Sequence, residues 1–221
     1  MTGSLAAFDF DGTISRRDTL VPFLARVAGP ARFAGTCARL GLLGARGTIP
    51  VRDRDRVKEH MIELLLGGTA EHDLRTQGER YARDLLTGDR LRPEVVARIH
   101  EHHRAGHRSV LVSASLVYYL EPIARELSID AVIGVEPEVT DGVLTGRLAR
   151  PNVRAEQKAI RLREWLGAPA LGPIEDTTIH AYGNSSGDHE LLALADRAWW
   201  LGRESKCPDF ARPFRPGTAL S

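Results

Sequence analysis

Ser4-Leu5-Ala6-Ala7-Phe8-Asp9-Phe10-Asp11-Gly12-Thr13 is an apolar run that ends abruptly in two acids and a glycine. Ser4 to Phe8 has the length and composition of a buried strand. Asp9 and Asp11 lie two apart across one Phe, so on extended backbone they point the same way. Two like charges this close should not both ionise in a dry site. A cation can stabilise one while the other keeps its proton, which prepares a nucleophile beside a general acid. Gly12 lets the chain turn away and leaves room for a ligand against the backbone. Acids that merely end a strand are common, but the whole Phe-Asp-x-Asp-Gly-Thr string after an apolar strand is far more specific.

The sequence on the far side of this string is helical. Leu20, Phe23, Leu24 and Val27 share a face that Gly29-Pro30 breaks. Val57, Met61 and Leu64 repeat at helical spacing up to Gly67-Gly68, and Leu74, Tyr81 and Leu85 do so up to Gly88. Residues 15–88 therefore read as a helical subdomain inserted after the first strand. Past it, strands and helices alternate. A helix starts at Pro93 with Val95, Val96 and Ile99, and Ser109 to Val112 is a strand running into Ser113-Ala114-Ser115. Leu116, Leu120, Ile123 and Leu127 mark a helix, and Ala131 to Gly134 a strand. Val139 to Leu144 form a hairpin on Asp141-Gly142. Lys158 to Leu166 is a helix with Ile160, Leu162 and Trp165 inward. Thr177 to Tyr182 and Ala198 to Leu201 are strands, with a helix carrying Leu191, Leu192 and Leu194 between them, and the tail from Arg203 reads as irregular. This order predicts an α/β fold: a doubly wound, Rossmann-like parallel sheet with an inserted helical cap. Residues 1–14 and 89–221 would form the core, and 15–88 the cap.

Ligands of an open parallel sheet bind beyond the carboxyl ends of its strands. Asp9/Asp11, Ser113 and Asn184/Asp188 fall at such ends, and Lys158 at a helix start. Singly, each has an ordinary reading: Ser113 as an N-cap, Lys158 as a solvated lysine, Asp188 as an acid favoured by a helix dipole. Jointly, one cation, one hydroxyl and a group of acids at converging ends are what phosphoryl transfer needs.

The ordered set Asp9-Phe10-Asp11-Gly12-Thr13, Ser113, Lys158 and Gly183-Asn184-Ser185-Ser186-Gly187-Asp188 resembles the haloacid dehalogenase superfamily of phosphatases. The helical insertion is similar to the type-1 cap of its phosphoserine phosphatase-like branch. The resemblance implies that Asp9 is the nucleophile, forming an aspartyl-phosphate. It implies that Asp11 protonates the leaving oxygen and then activates water, and that Ser113 and Lys158 hold the phosphoryl oxygens. It also implies Mg²⁺ bound by Asp9, the Asp11 carbonyl and the fourth motif, Asn184 and Asp188, with the cap closing over a small phosphorylated substrate. The family's fourth motif usually begins Gly-Asp, whereas this chain has Gly183-Asn184. Asn offers an oxygen without a charge, so the expectation is weaker metal binding, with Asp188 supplying the second acid directly or through water.

Asp18 stands where those phosphatases carry a cap-base Glu that faces a substrate ammonium; its other reading is the N-cap of the following helix. Arg52, Arg54, Arg56 and Lys58 lie near the region of the cap Arg, on what reads mainly as a solvated charged face. The substrate is read as phosphoserine-like or an amino-alcohol phosphate. Thr19 to Leu43, apolar with punctuating arginines, reads as the core of a small bundle; a lipid-facing surface, and hence a lipid-phosphate substrate and peripheral lipid contact, stays open. A phosphotransferase or mutase and a non-catalytic phospholigand-binding module are further alternatives. His100, His103 and His107 have helical spacing, but Gly106 ends that helix and His102 shows a merely His-rich region. His180 reads as a packed strand residue, and His189 as a residue near the pocket without a fixed role.

The chain has 221 residues, 43% apolar and 27% charged, with 30 Lys and Arg against 29 Asp and Glu. It is long enough for a core without staples. A net charge of +1 supplies no global field for nucleic acid. Cys37 and Cys207 do not make a disulfide framework, and the expected setting is reducing and cytoplasmic. No stretch reads as membrane-spanning, and Asp9 and Asp11 interrupt any signal-like start. The oligomeric state is not legible.

Overall fold

Leu5, Ala6, Ala7 and Phe8 are each no more than 1% exposed. Successive strand residues point to opposite faces, so a run buried throughout needs a sheet covered on both sides. The computed structural model describes residues 3–47, 54–168 and 177–220 and shows that sheet. Its elements are β1 (Ser4–Phe8), α1 (Leu20–Ala28), α2 (Pro30–Ala45), α3 (Arg54–Leu66), α4 (Glu71–Thr87), α5 (Pro93–Arg104), β2 (Arg108–Leu116), α6 (Val117–Glu126), β3 (Ala131–Val135), β4 (Pro137–Thr140), β5 (Val143–Leu148), α7 (Glu156–Leu166), β6 (Thr178–Gly183), α8 (His189–Ala193), β7 (Arg197–Trp200) and β8 (Arg212–Pro213). Six strands pair in the order β3-β2-β1-β6-β7-β8, every neighbour parallel. The α/β, Rossmann-like sheet expected from the sequence is the observed fold. The chain builds outward from β1 on one side and returns through β6 on the other, so its switch point lies at the carboxyl ends of β1 and β6, where such sheets open a crevice.

The helical stretch leaves and rejoins the sheet through a short neck: Arg16 N–H donates to the Arg90 carbonyl at 2.8 Å and Arg92 N–H to the Ile14 carbonyl at 2.8 Å. In α1, Leu20, Phe23 and Leu24 are fully buried, so the arginine-punctuated segment turns its apolar stripe inward. α2 buries only Thr36 and Leu40 among its side chains. In α3 the inward face is Met61, Ile62, Leu65 and Leu66, rotated from the Val57–Met61–Leu64 line that spacing suggests. The β4–β5 hairpin turns at Asp141 and Gly142, both at positive φ, as a two-residue hairpin requires. It is bonded to the α3–α4 loop through Gly68 N–H to the Leu144 carbonyl and Glu71 N–H to the Gly142 carbonyl, each 2.9 Å.

Two expectations need correction. α7 buries Lys158, Ala159, Arg161, Leu162 and Leu166, whereas Ile160 and Trp165 are only half-buried. Polar partners draw the two cations inward: Arg161 donates to the Pro151 carbonyl and to the Gly134 carbonyl. The tail is also not irregular throughout, because Arg212–Pro213 form the sixth strand beside β7. A proline is tolerated there because edge strands leave one row of groups unpaired.

Below the sheet, Phe8 stacks on Tyr182 with centroids 4.4 Å apart. His102 of α5 meets Phe8 edge-on and shares hydrogen bonds with Tyr182 Oη at 2.8 Å and His107 Nδ1 at 2.9 Å. His180 packs 4.9 Å from His102, while His100 and His103 are exposed. Burial first, and then the neighbouring His and Arg charges, lower His102 to about 3 and His180 to about 4. Both rings are neutral in the fold. The unfolded chain gains protons below about pH 6.5 that the fold refuses, so each ring costs stability as pH falls, about 1.4 kcal/mol per unit at most until its folded value is reached. His180→Gln is expected to flatten the loss of stability between pH 6.5 and 5 in urea denaturation. A ring resonance of His180 titrating near 6.5 would contradict this.

Candidate active site

The crevice at the ends of β1, β2 and β6 holds a cavity of about 660 Å³. Asp9, Asp11, Ser113, Lys158, Asn184, Asp188 and Asp18 all line it. At its floor, Lys158 Nζ donates to Asp9 Oδ1 and Asp188 Oδ1, each at 2.6 Å. All three groups are at most 5% exposed. α7 delivers the lysine, β1 the first acid, and the turn after β6 the second. Asp9 is pushed up to about 7 by burial and by the negative charge of Asp188, with Lys158 pulling the other way. Burial opposes charge on Lys158, but the two carboxylates outweigh it and hold the ammonium above the ordinary lysine range. Burial likewise opposes charge on Asp188, yet Lys158 and the Ser185 and Asn184 N–H groups hold it below the usual carboxylate value. Asp188 Oδ2 takes Asn184 N at 3.1 Å, Ser185 N at 2.9 Å and Ser185 Oγ at 2.9 Å, so both of its oxygens face protein donors.

Asp11 sits in a second network. Its Oδ1 accepts from Thr19 N at 2.7 Å and Thr19 Oγ1 at 2.6 Å, and its Oδ2 accepts from Ser115 Oγ at 2.5 Å. Thr19 Oγ1 also lies 3.1 Å from Tyr119 Oη, and Tyr81 Oη donates to the Thr19 carbonyl at 3.0 Å. Burial and the Asp18 charge raise Asp11, against the Ser115 and Thr19 hydrogen bonds. A raised carboxyl suits a group that must begin protonated.

Asn184 faces Asp9 and Asp11 across the crevice. Its neighbours are acceptors, which turns the amide nitrogen inward: it donates to Asp9 Oδ2 at 3.2 Å, to the Asp11 carbonyl at 3.0 Å and to Thr13 Oγ1 at 3.1 Å. Gly12, at φ +86, makes this approach possible, since a Cβ there would lie 2.3 Å from the Asn184 amide. Turning the amide by half a revolution presents its oxygen to the same point. A carboxylate, a carbonyl and an amide oxygen form a hard, oxygen-only donor set that fits Mg²⁺. Among the described residues no group of three His, Cys, Asp or Glu is placed to hold a metal; here two of the three oxygens come from a carbonyl and an amide. Asn184→Asp is expected to tighten Mg²⁺ binding about tenfold or more by adding a charge beside Asp9. A calorimetric titration with unchanged or weaker affinity would remove Asn184 from the donor set.

Ser113 is 1% exposed, and its Oγ accepts Ser115 N–H at 3.2 Å, which leaves its hydroxyl hydrogen for an anion. It does not cap α6, whose N-cap is Leu116. Asp18 Oδ1 accepts Val21 N–H at 3.2 Å and its Oδ2 faces Lys58 Nζ at 3.4 Å, so its carboxylate supports the α1 start as well as the cavity wall. Arg52 and the side chain of Arg54 lie outside the described residues, and Arg56 is exposed. His189 packs against Trp200 and Phe210. Sequence reading missed Thr19, Ser115, Tyr119 and Arg154. Arg154 also lines the cavity, packed over Gly187, where a Cβ would come within 2.9 Å of its Nε.

Comparison with known proteins follows the same outline. The family model of haloacid dehalogenase-like hydrolases matches residues 6–193. The chain is 36% identical to Protein CicA of Caulobacter vibrioides over 197 residues, covering 87% of this chain and 83% of that protein. It is 29% identical to phosphoserine phosphatase SerB2 of Mycobacterium tuberculosis, covering 88% of this chain and 43% of that one. Among solved structures, a protein of unknown function from Bordetella pertussis Tohama I superposes with a TM-score of 0.74 at 26% identity, covering 90% of each chain.

Proposed function

The chain belongs to the haloacid dehalogenase-like hydrolase family, in its phosphoserine phosphatase-like branch, and on that premise we propose that it hydrolyses phosphomonoesters of small metabolites through a covalent aspartyl-phosphate on Asp9. The observation that carries this reading is the Lys158 ammonium held between Asp9 and Asp188 at 2.6 Å from each, beside the raised carboxyl of Asp11.

Asp9 attacks phosphorus as the bond to the leaving oxygen breaks, and Asp11 gives that oxygen its proton. Asp11, now a carboxylate, takes a proton from water; the water oxygen attacks phosphorus, releasing inorganic phosphate and restoring Asp9. Lys158 and Ser113 hold phosphoryl oxygens and offset their charge. Asp9, the Asp11 carbonyl and Asn184 are the residues that would hold Mg²⁺, with Asp188 behind Lys158. When bound, the ion supplies positive charge at the phosphoryl group and keeps Asp9 ionised. Residues 15–88 serve as the cap over residues 1–14 and 89–221, hinged at the paired neck of Ile14–Arg16 and Arg90–Arg92.

The partner is a small phosphorylated molecule. No helix among the described residues is long and apolar enough to cross a membrane, and a cytoplasmic setting belongs to this reading. Turnover of an aryl phosphate that depends on Mg²⁺ is the direct test, and its absence would refute the assignment. Asp11→Asn is expected to lower turnover about 10²–10⁴-fold, by removing proton transfer. The loss should be smaller for a nitrophenyl ester, whose leaving group needs no proton, than for an alkyl ester; equal losses would argue against general-acid action.

A further inference from the structure

α2 packs on α1 and α3 with Thr36 and Leu40 as its buried side chains. Its opposite face carries Ala31, Ala34, Ala38, Leu42 and Ala45, spaced three or four apart and all exposed. A surface helix ordinarily turns charged and polar groups outward. This one turns outward four alanines and a leucine that is 52% exposed, an apolar face with nothing over it. The charges lie along one border of that face. Arg32, Arg39 and Arg46 recur every seven residues, a spacing that drifts only about 20° per repeat, so they form a line. All three are exposed. Arg32 donates to the Leu64 carbonyl at 3.0 Å, a neutral partner that leaves its charge uncompensated. Arg39 and Arg46 make no ion pair among the described residues. From Thr19 to Arg52 the sequence has five arginines and no acid, in a chain whose whole net charge is +1.

We propose that the outer face of α2 docks on an anionic lipid bilayer, with Leu42 and the alanines at the acyl boundary and the three arginines among the lipid phosphates. Charge selects this occupant. A second copy pairing α2 against α2 would set one arginine line beside another, with no acid on either helix. A dedicated protein partner is ordinarily gripped by large aromatic anchors, whereas nothing on this face exceeds Leu42. A bilayer needs no such anchor, and guanidinium groups take phosphate oxygens through charge-assisted hydrogen bonds. A face made mostly of alanine enters the bilayer little, so the attraction is mainly electrostatic and sensitive to salt. Docking is independent of the reaction in the crevice, because no residue of α2 lines that cavity.

The test is flotation of the full chain with vesicles of phosphatidylcholine alone and of phosphatidylcholine mixed with phosphatidylglycerol. At low salt the partition coefficient onto the mixed vesicles should exceed that onto the neutral ones about 100-fold, from about fivefold per arginine. Most of that difference should vanish at about 0.5 M salt. Arg39→Gln combined with Arg46→Gln should weaken binding to the mixed vesicles about 25-fold. Arg104→Gln combined with Arg125→Gln removes the same charge from exposed positions of α5 and α6 and should change binding less than about threefold. Leu42→Ser should weaken it about three- to tenfold. All these side chains are exposed, so urea denaturation should match the parent. Equal binding to both vesicles, no binding at low salt, or equal losses in the two double variants would overturn the docking. Sedimentation velocity supplies the remaining arm: a dimer in solution that Leu42→Ser dissociates would assign the face to a second copy and overturn it as well.

Discussion

Asp9→Asn is expected to stop phosphomonoester turnover, with a loss of at least about 10⁴-fold in kcat, because residues that act as a unit with the nucleophile cannot replace it. The substitution keeps the size of the side chain and leaves Lys158 its contact with Asp188 at 2.6 Å, so the fold should survive. It also removes one of two acids that crowd each other: the Asp188 charge is among the causes that push Asp9 up to about 7. A catalytic loss without a stability loss is therefore the signature. The measurements are single-turnover rates with an aryl phosphate and urea denaturation of the same preparation. Residual turnover above about 1% of the parent would remove Asp9 from the nucleophile's place.

Lys158→Met should be the most destabilising of the single changes considered. It takes the ammonium away from two carboxylates that are 5% and 1% exposed and puts nothing polar in its place. Removing one partner of a buried ion pair costs about 3–5 kcal/mol, because the remaining charge is left uncompensated. The deficit should shrink as pH falls and the stranded carboxylates take up protons. Adding Asp9→Asn should restore part of the lost stability, since one of the two stranded charges is then gone. Lys158→Met within about 1 kcal/mol of the parent in urea denaturation, or a double variant less stable than Lys158→Met alone, would show that the lysine is not the counter-ion of this floor.

Much of this was legible in the chain because the informative residues are local. The apolar run ending at Asp9 reports a strand buried on both faces, and strand–helix alternation after Pro93 reports a parallel sheet. Lys158 was legible by order, as a cation between the second and fourth clusters, although by periodicity it looked solvated. Its burial comes from two acids that lie far from it in sequence, and no local pattern encodes that. For the same reason Arg161 takes a buried place on α7 while Ile160 and Trp165 are only half-buried: its carbonyl partners, Pro151 and Gly134, belong to other segments. Thr19 and Ser115 carry no local signal, because hydroxyl residues are frequent at helix starts and strand ends. Their meaning appears only where β1, β2 and α1 converge on one carboxyl. The strand at Arg212–Pro213 was hidden by its shortness and its proline.

Thr19 has its N–H and hydroxyl on Asp11 and its carbonyl on Tyr81 of α4. It is the residue from which α1 departs, so the first turn of the proposed cap and the carboxyl proposed as proton donor share one set of hydrogen bonds. Tilting those helices must lengthen or shorten bonds that favour the ionised form of Asp11. On the proposed mechanism, entry of solute and readiness to protonate are then a single coordinate, and a substitution that alters only how widely the entrance stands open would move the alkaline limb of a pH–rate curve, where the donor loses its proton.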